Sequence, residues 1–256
     1  MYQIALLTDF GQKDWYVPVM KSVILSINDK VRLIDVTHEV SPQNSNEAAF
    51  VLWNAYQQFA APTIFVVVVD PGVGSERAII AVKTDKHIII APDNVSLDLI
   101  LSTEKIEQAV QVKNLKFFLD EVSETFHGRD IFAPVAANLS KGIALAEFGA
   151  AVNYPPIQSP LINADKKGQY EGFVIYIDRF GNLITNIKIP PAIDCEIVLN
   201  KEINIPKISK TYADVPIGNV VAYRGSSGLL EIAIRNGNAK KGLKMDYQTP
   251  VRLILK

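Results

Sequence analysis

The chain has 256 residues, 48 % of them hydrophobic, which is enough for one large domain or two modest ones with a substantial core. Lysine and arginine number 26 against 27 aspartates and glutamates, and a net charge of −1 argues against nucleic-acid binding through a broadly basic face. A single cysteine, Cys195, excludes an internal disulfide framework and a cysteine-rich zinc site, and no apolar run approaches the ~20 residues that span a bilayer.

The opening residues, MYQIALLTDFG, lack a basic segment ahead of their apolar run and read as a first strand, not a signal peptide. A cytoplasmic protein with no membrane partner is the expectation. Residues 3–10 form that strand, ending at Thr8-Asp9. Residues 14–28 place Val19, Val23, Ile24 and Ile27 at helical spacing, with Pro18 in the first turn. Residues 31–40 read as a strand and 41–59 as an amphipathic helix behind polar cap residues. Residues 63–70, TIFVVVVD, are the most apolar strand, a pattern expected of burial on both faces. Residues 77–93 read as a hairpin turning near Thr84-Asp85-Lys86, and the segments from Asn94 and from Gly128 to Gly142 look helical.

This alternation predicts an α/β fold, a mainly parallel sheet with helices on both faces. Ligands of such sheets sit at the carboxyl ends of strands, which points to Asp9 and Asp70. From about residue 152 the texture changes to a proline-containing stretch and then to short strands separated by turns. The expectation is an N-terminal α/β domain over 1–155, a linker over 156–167 and a smaller β-barrel domain over 168–256.

Several stretches carry candidate chemistry. In VVVVDPGVGSER, Asp70 stands at a strand mouth, two glycines allow close approach, and Arg77 can return across the turn to meet the carboxylate. A Pro-Gly turn closed by a surface ion pair fits the same spacing. His127, in FHGRD, can serve as acid, base or donor, or can simply cap a turn. Asp9, in TDFG, can accept from ribose hydroxyls or cap the next helix. In IDRFGNLITNI, Asn182 can read an adenine edge and Phe180 can stack on it, unless Asp178 and its neighbours form an ordinary β-turn. Ser226 and Ser227 can hold a carboxylate, or close a hairpin ahead of Glu231. The three histidines are scattered, and no pair has metal-ligand spacing on one element.

Taken in order, LLTDFG, VVVVDPGVGSER, IIIAPDN, FHGRDIFAPVAA, IDRFGNLITNI and SSGLLEIA resemble the S-adenosyl-L-methionine (SAM) hydroxide adenosyltransferases, the adenosine-forming SAM hydrolases related to the SAM-dependent fluorinase and chlorinase. The resemblance runs from residue 3 to about 240. It implies an α/β domain followed by a β-barrel, and a homotrimer whose sites lie between subunits. The implied substrates are SAM and water, with no cofactor and no metal. The implied water-handling set is Asp70, Arg77 and His127, with Gly128 beside it. Asp9 falls on the ribose-binding aspartate, Asp14 and Asp178 on contacts to the methionine amine, Asn182 and Tyr212 on the adenine site, and Ser226 and Ser227 on the methionine carboxylate site. Asn94, Gly128, Phe180 and Glu231 join the substrate-binding set, Glu231 from the matching strand and without a specified contact.

The halogenating relatives carry tyrosine where Asp70 stands, a tyrosine-serine pair where His127-Gly128 stands, and arginine at Ser227. The residues at Asp70 and at His127-Gly128 favour hydroxide over halide, because the halogenase replacements would remove the polar set that holds water. Val95 replaces a family glycine, Ile184 stands where the fluorinase has an aromatic near the sulfonium, and a second such aromatic lies near Gln43, which implies a less aromatic sulfonium pocket. The alternatives are a chlorinase-like halide adenosyltransferase and a non-enzymatic adenosyl-ligand binder.

Overall fold

The computed structural model describes residues 3–154, 157–191 and 194–255. The chain divides into two compact units, Met1–Gln158 and Ser159–Lys256.

In the first unit, β1 (Gln3–Thr8), α1 (Tyr16–Ile27), β2 (Arg32–Thr37), α2 (Ser45–Tyr56) and β3 (Thr63–Val68) alternate as the hydrophobic pattern predicts. Next come the hairpin strands β4 (Ile79–Thr84) and β5 (Ile88–Pro92), α3 (Asp98–Thr103), β6 (Ile106–Val112), α4 (Ala133–Ser140) and β7 (Gly149–Ala151). They build a 7-stranded sheet in the order β2-β1-β3-β5-β4-β6-β7. The β2-β1-β3-β5 half is parallel, whereas β4 pairs antiparallel with β5 and β6, and β6 with β7. The sheet is mostly parallel in strand direction, and the hairpin introduces the antiparallel half.

Every residue of β3 is buried. Its β-branched side chains suit a strand covered on both faces, and each fully buried one stabilises by about 1.5–3 kcal/mol. Ile64, Val66 and Val68 join Met20 and Ile24 of α1 and Val135 and Leu139 of α4 in one apolar cluster. On the opposite face Phe65 stacks on Tyr56 of α2 with ring centroids 6.0 Å apart. Helices therefore cover both faces. The α2 start is fixed by Asn44, whose side-chain oxygen accepts from Glu47 N at 3.1 Å.

The second unit contains β8 (Ile162–Asn163), β9 (Gly168–Ile177), β10 (Leu183–Lys188), β11 (Cys195–Leu199), β12 (Ile203–Ile205), β13 (Val220–Arg224), β14 (Leu229–Ile234), α5 (Ala239–Leu243) and β15 (Pro250–Leu255). The 8-stranded sheet runs β12-β11-β15-β9-β10-β14-β13, with β8 added beside β10. It nearly closes on itself: past β12, Ser209 N donates to Ala222 O of β13 at 2.7 Å. Val174, Leu183, Ile197, Leu199, Ile232 and Leu253 fill the interior of this small barrel.

Candidate active site

β1 and β3 are parallel neighbours, with Thr8 in register with Val68. The residues that follow them, Asp9 and the Asp70 loop, therefore emerge side by side. The Asp70 loop folds back on itself. Asp70 Oδ1 accepts from Gly72 N at 3.2 Å, and Ser75 Oγ donates to Gly72 O at 2.6 Å. Arg77 then returns to the carboxylate: its Nε lies 3.0 Å from Oδ1 and 2.8 Å from Oδ2, and its Nη2 also donates to Oδ2. The glycines have separate tasks. A Cβ on Gly72 would sit 3.0 Å from Arg77 Cγ, so its absence leaves room for the returning arginine. Gly74 adopts φ +77°, and a Cβ there would lie 2.7 Å from the Glu124 carbonyl.

The Asp70 and Arg77 side chains are only 6 % and 14 % exposed, so this is no surface ion pair. Removing one partner of such a pair costs about 3–5 kcal/mol, because the other charge stays buried.

His127 completes the group. It precedes a π-turn, Gly128–Phe132, that leads into α4. Asp130 in that turn is buried and accepts from Ser123 N at 2.8 Å and Ser123 Oγ at 2.9 Å, which holds the preceding loop against the turn. Burial opposes charge on Asp130, but the bonds from Arg129 and Ser123 prevail and hold its carboxyl below the usual range. Gly128 packs so closely that a Cβ would meet Met20 Sδ at 3.2 Å. His127 Nδ1 is thereby placed 2.7 Å from Arg77 Nη2. Burial lowers the His127 pKa below 6.5, and the Arg77 charge lowers it further.

These residues open on a cleft of about 620 Å³. Asp9, Asp70, His127 and Gly128 line it, as does Gln43. Gln43 holds φ +65° and donates its backbone N–H to Asp9 Oδ2 at 2.7 Å. Behind Asp9, the buried His38 bonds Thr8 Oγ1 at 2.9 Å, and its carbonyl accepts from Gly11 N at 2.7 Å. Phe10, Trp15, Tyr16 and Phe126 supply an aromatic wall, with Tyr16 and Phe126 edge-to-face at 5.1 Å.

Asp14 is exposed just ahead of α1 and is not among the lining residues. Asn94 donates from Nδ2 to Val69 O at 3.1 Å and accepts from Ser96 N at 2.9 Å, so it ties the end of the β5 hairpin to the strand carrying Asp70. Val95 is exposed beside it.

A second polar group lies in the C-terminal unit. Asp178 Oδ1 accepts from Phe180 N and Asn182 N at 2.9 and 2.8 Å, and Oδ2 accepts from Asn182 Nδ2 at 2.8 Å. The segment is thus a tight turn that also orients a buried asparagine, while Phe180 is 73 % exposed. Asn182 Nδ2 also donates to Tyr212 Oη at 3.3 Å. Tyr212 in turn bonds Tyr223, and Tyr223 donates to Glu231 Oε2 at 2.6 Å. Burial, seconded by the Asp178 charge, raises the Glu231 pKa against the Tyr223 hydrogen bond. Ser226 is exposed, and Ser227 Oγ is buried without a hydrogen-bond partner among the described residues.

Sequence reading missed Tyr223, Ser123, Asp130 and the aromatic wall. The adjacency of Trp15-Tyr16 to Asp14, and of Phe126 to His127, was the available signal for the wall.

Comparison with known proteins bears on the family to which the chain belongs. The family model for the SAM hydroxide adenosyltransferase N-terminal domain matches residues 4–149, and that for the C-terminal domain matches 172–252. The chain is 32 % identical to an (R)-S-adenosyl-L-methionine hydrolase of Thermus thermophilus, over 99 % of this chain and 100 % of the relative. It is 33 % identical to one of Methanocaldococcus jannaschii, over 98 % and 95 % respectively. A fluorinase of an Actinoplanes species is more distant, at 27 % identity over 90 % of each chain. Among solved structures, an uncharacterized conserved protein from Thermotoga maritima superposes with a TM-score of 0.87 at 34 % identity, covering 98 % of this chain and 99 % of the other. Two family domains in the right order, full-length relatives and a matching fold lead to one assignment: the chain belongs to the SAM hydroxide adenosyltransferase family.

Proposed function

We propose that the chain hydrolyses S-adenosyl-L-methionine to adenosine and L-methionine. The observation that carries this is the bridge Arg77 makes between Asp70 and His127 at the edge of a cleft. Water attacks the ribose C5′ in line; the C5′–O bond forms as the C5′–S bond breaks, and sulfur leaves with its electron pair as a neutral thioether. The leaving group needs no acid, so the protein's task is the nucleophile.

Asp70 holds that water. Gly72 N and Arg77 Nε and Nη2 donate to the Asp70 carboxylate and fix its orientation toward the water. A carboxylate is far too weak a base to hold a stable hydroxide, so Asp70 receives the proton late, as the C–O bond forms. Neutral His127 accepts from Arg77 at Nδ1, which leaves Nε2–H as a donor to the attacking oxygen. Arg77 holds both groups and offsets charge on the developing carboxylate–water pair. In-line placement of water and substrate in the cleft supplies the remaining acceleration.

The substrate contacts follow the same reading. Asp9 accepts from the ribose hydroxyls, Asp14 and Asp178 balance the substrate's cationic end, and Ser226 and Ser227 hold its carboxylate. The buried, unpartnered Ser227 Oγ supports that last role. Asn182 and Tyr212 receive adenine, and Phe180 flanks it. The proposal includes a homotrimer with sites completed between subunits, and a cytoplasmic location.

Purified protein incubated with SAM should yield equimolar adenosine and methionine. Because L already specifies the methionine carbon, the R descriptor in the relatives' names refers to the sulfonium, and both sulfonium epimers belong in the assay. Loss of SAM at only the uncatalysed rate overturns the proposal. Chloride-dependent formation of 5′-chloro-5′-deoxyadenosine would establish the halide reaction, and bound adenosine without turnover a binder. Light scattering tests the trimer. Where Asp70→Asn and Asn182→Ala each lower turnover alone, mixing the two variants tests shared sites, since subunits that complete one another's sites recover activity.

A further inference from the structure

The C-terminal unit contains a row of hydrogen bonds whose direction can be read from its hydrogens. Tyr223 has one hydroxyl hydrogen and donates it to Glu231 Oε2 at 2.6 Å. Its oxygen can then only accept from Tyr212, whose hydroxyl is 2.5 Å away. With its own hydrogen spent, Tyr212 accepts from Asn182 Nδ2 at 3.3 Å. The other hydrogen on Asn182 Nδ2 goes to Asp178 Oδ2 at 2.8 Å. Both amide hydrogens are committed, so Asn182 is locked in one orientation, and the group it retains is Oδ1, an acceptor.

The far end of the row is built into the fold. Glu231 and Tyr223 are directly opposite each other in the β13–β14 pair, so the ladder register sets their contact. A Cβ on Gly225 would sit 1.8 Å from Glu231 Oε1, so the glycine clears the volume the carboxylate fills. Tyr212 and Tyr223 also pack with ring centroids 4.6 Å apart, so the same contact sets the Tyr212 ring plane.

We infer that Glu231 and Tyr223 are positioning residues that hold Asn182 as a hydrogen-bond acceptor and Tyr212 as an oriented ring, so that the site selects a purine with an exocyclic amine over one with an oxo group. An amine donates to Oδ1. An oxo group would set two acceptors against each other, and the locked amide cannot flip to relieve this without breaking its bonds to Asp178 and Tyr212. The inference rests on the adenosyl reading of the site and adds its base selectivity and the residues that enforce it.

Adenosine and inosine differ at this group, and calorimetric titration of both nucleosides tests the idea alongside SAM turnover. Wild-type protein should bind adenosine about tenfold or more tighter than inosine. Tyr223→Phe cuts the row and should reduce that ratio to about threefold or less, with the loss for SAM falling on KM more than on kcat. Should that variant not fold, Tyr212→Phe keeps the ring at a half-exposed position, cuts the same row and should narrow the ratio likewise. Wild-type protein that turns over SAM yet binds the two nucleosides equally overturns the inference alone. So do folded variants that retain the full ratio. Protein that neither turns over SAM nor binds adenosine overturns the adenosyl reading and this inference together.

Discussion

Arg77 Nη2 lies 2.7 Å from His127 Nδ1, and a guanidinium can only donate. The contact therefore fixes the imidazole as neutral, with its hydrogen on Nε2. Protonation would place an N–H against the arginine.

A pH prediction follows from this. The folded-state pKa of His127 is lowered from 6.5, by burial first and by Arg77 second. Below pH 6.5 the unfolded chain binds more protons than the folded one, so this residue's contribution to stability is complete above 6.5 and declines as pH falls. NMR titration should show a His127 midpoint below 6.5, and the acid limb of turnover should be centred below that value. His127→Asn should remove that acid limb.

Asp70→Asn preserves shape but removes the proton acceptor. Turnover should fall by about 10²–10⁴, with SAM affinity changed by less than about tenfold. Equal loss in binding and turnover, measured by calorimetry and product formation, would reassign Asp70 to substrate binding.

Arg77→Lys retains charge but loses the planar fork that reaches two partners at once. It should lower turnover at least about 10²-fold. Arg77→Ala leaves the Asp70 carboxylate buried and unpaired and should destabilise by about 3–5 kcal/mol in urea unfolding.

Gly74 and Gly142 provide a matched comparison. Both hold positive φ, +77° and +90°, but only at Gly74 would a Cβ meet another atom, the Glu124 carbonyl. Gly74→Ala should cost about 1–3 kcal/mol and lower turnover by displacing the Asp70 loop. Gly142→Ala should cost less and leave turnover intact. Denaturant midpoints and initial rates distinguish the two.

Much of this was legible in the sequence because it is local. The apolar run of β3, the hairpin after Arg77 and the cap at Asn44 depend on neighbours a few residues away, and periodicity reports those directly. The returning ion pair was also within reach, since Asp70 and Arg77 share one glycine-containing loop. The position of Asp9 beside that loop followed from the strand-end rule once the sheet was expected to be parallel there.

Tertiary structure alone decided the rest. His127 is 50 residues from Arg77, and the packing of Gly128 against α1 and β3 brings the two together. The antiparallel half of the sheet depends on β4 inserting between β5 and β6, an order that no local pattern encodes. Tyr223 and Glu231 meet because of strand register, and a one-residue slip of either strand would send its side chain to the opposite face and part the pair. Local chain energetics are written in neighbouring residues, whereas register and close packing are minimised over the whole fold, so they emerge only once it has formed.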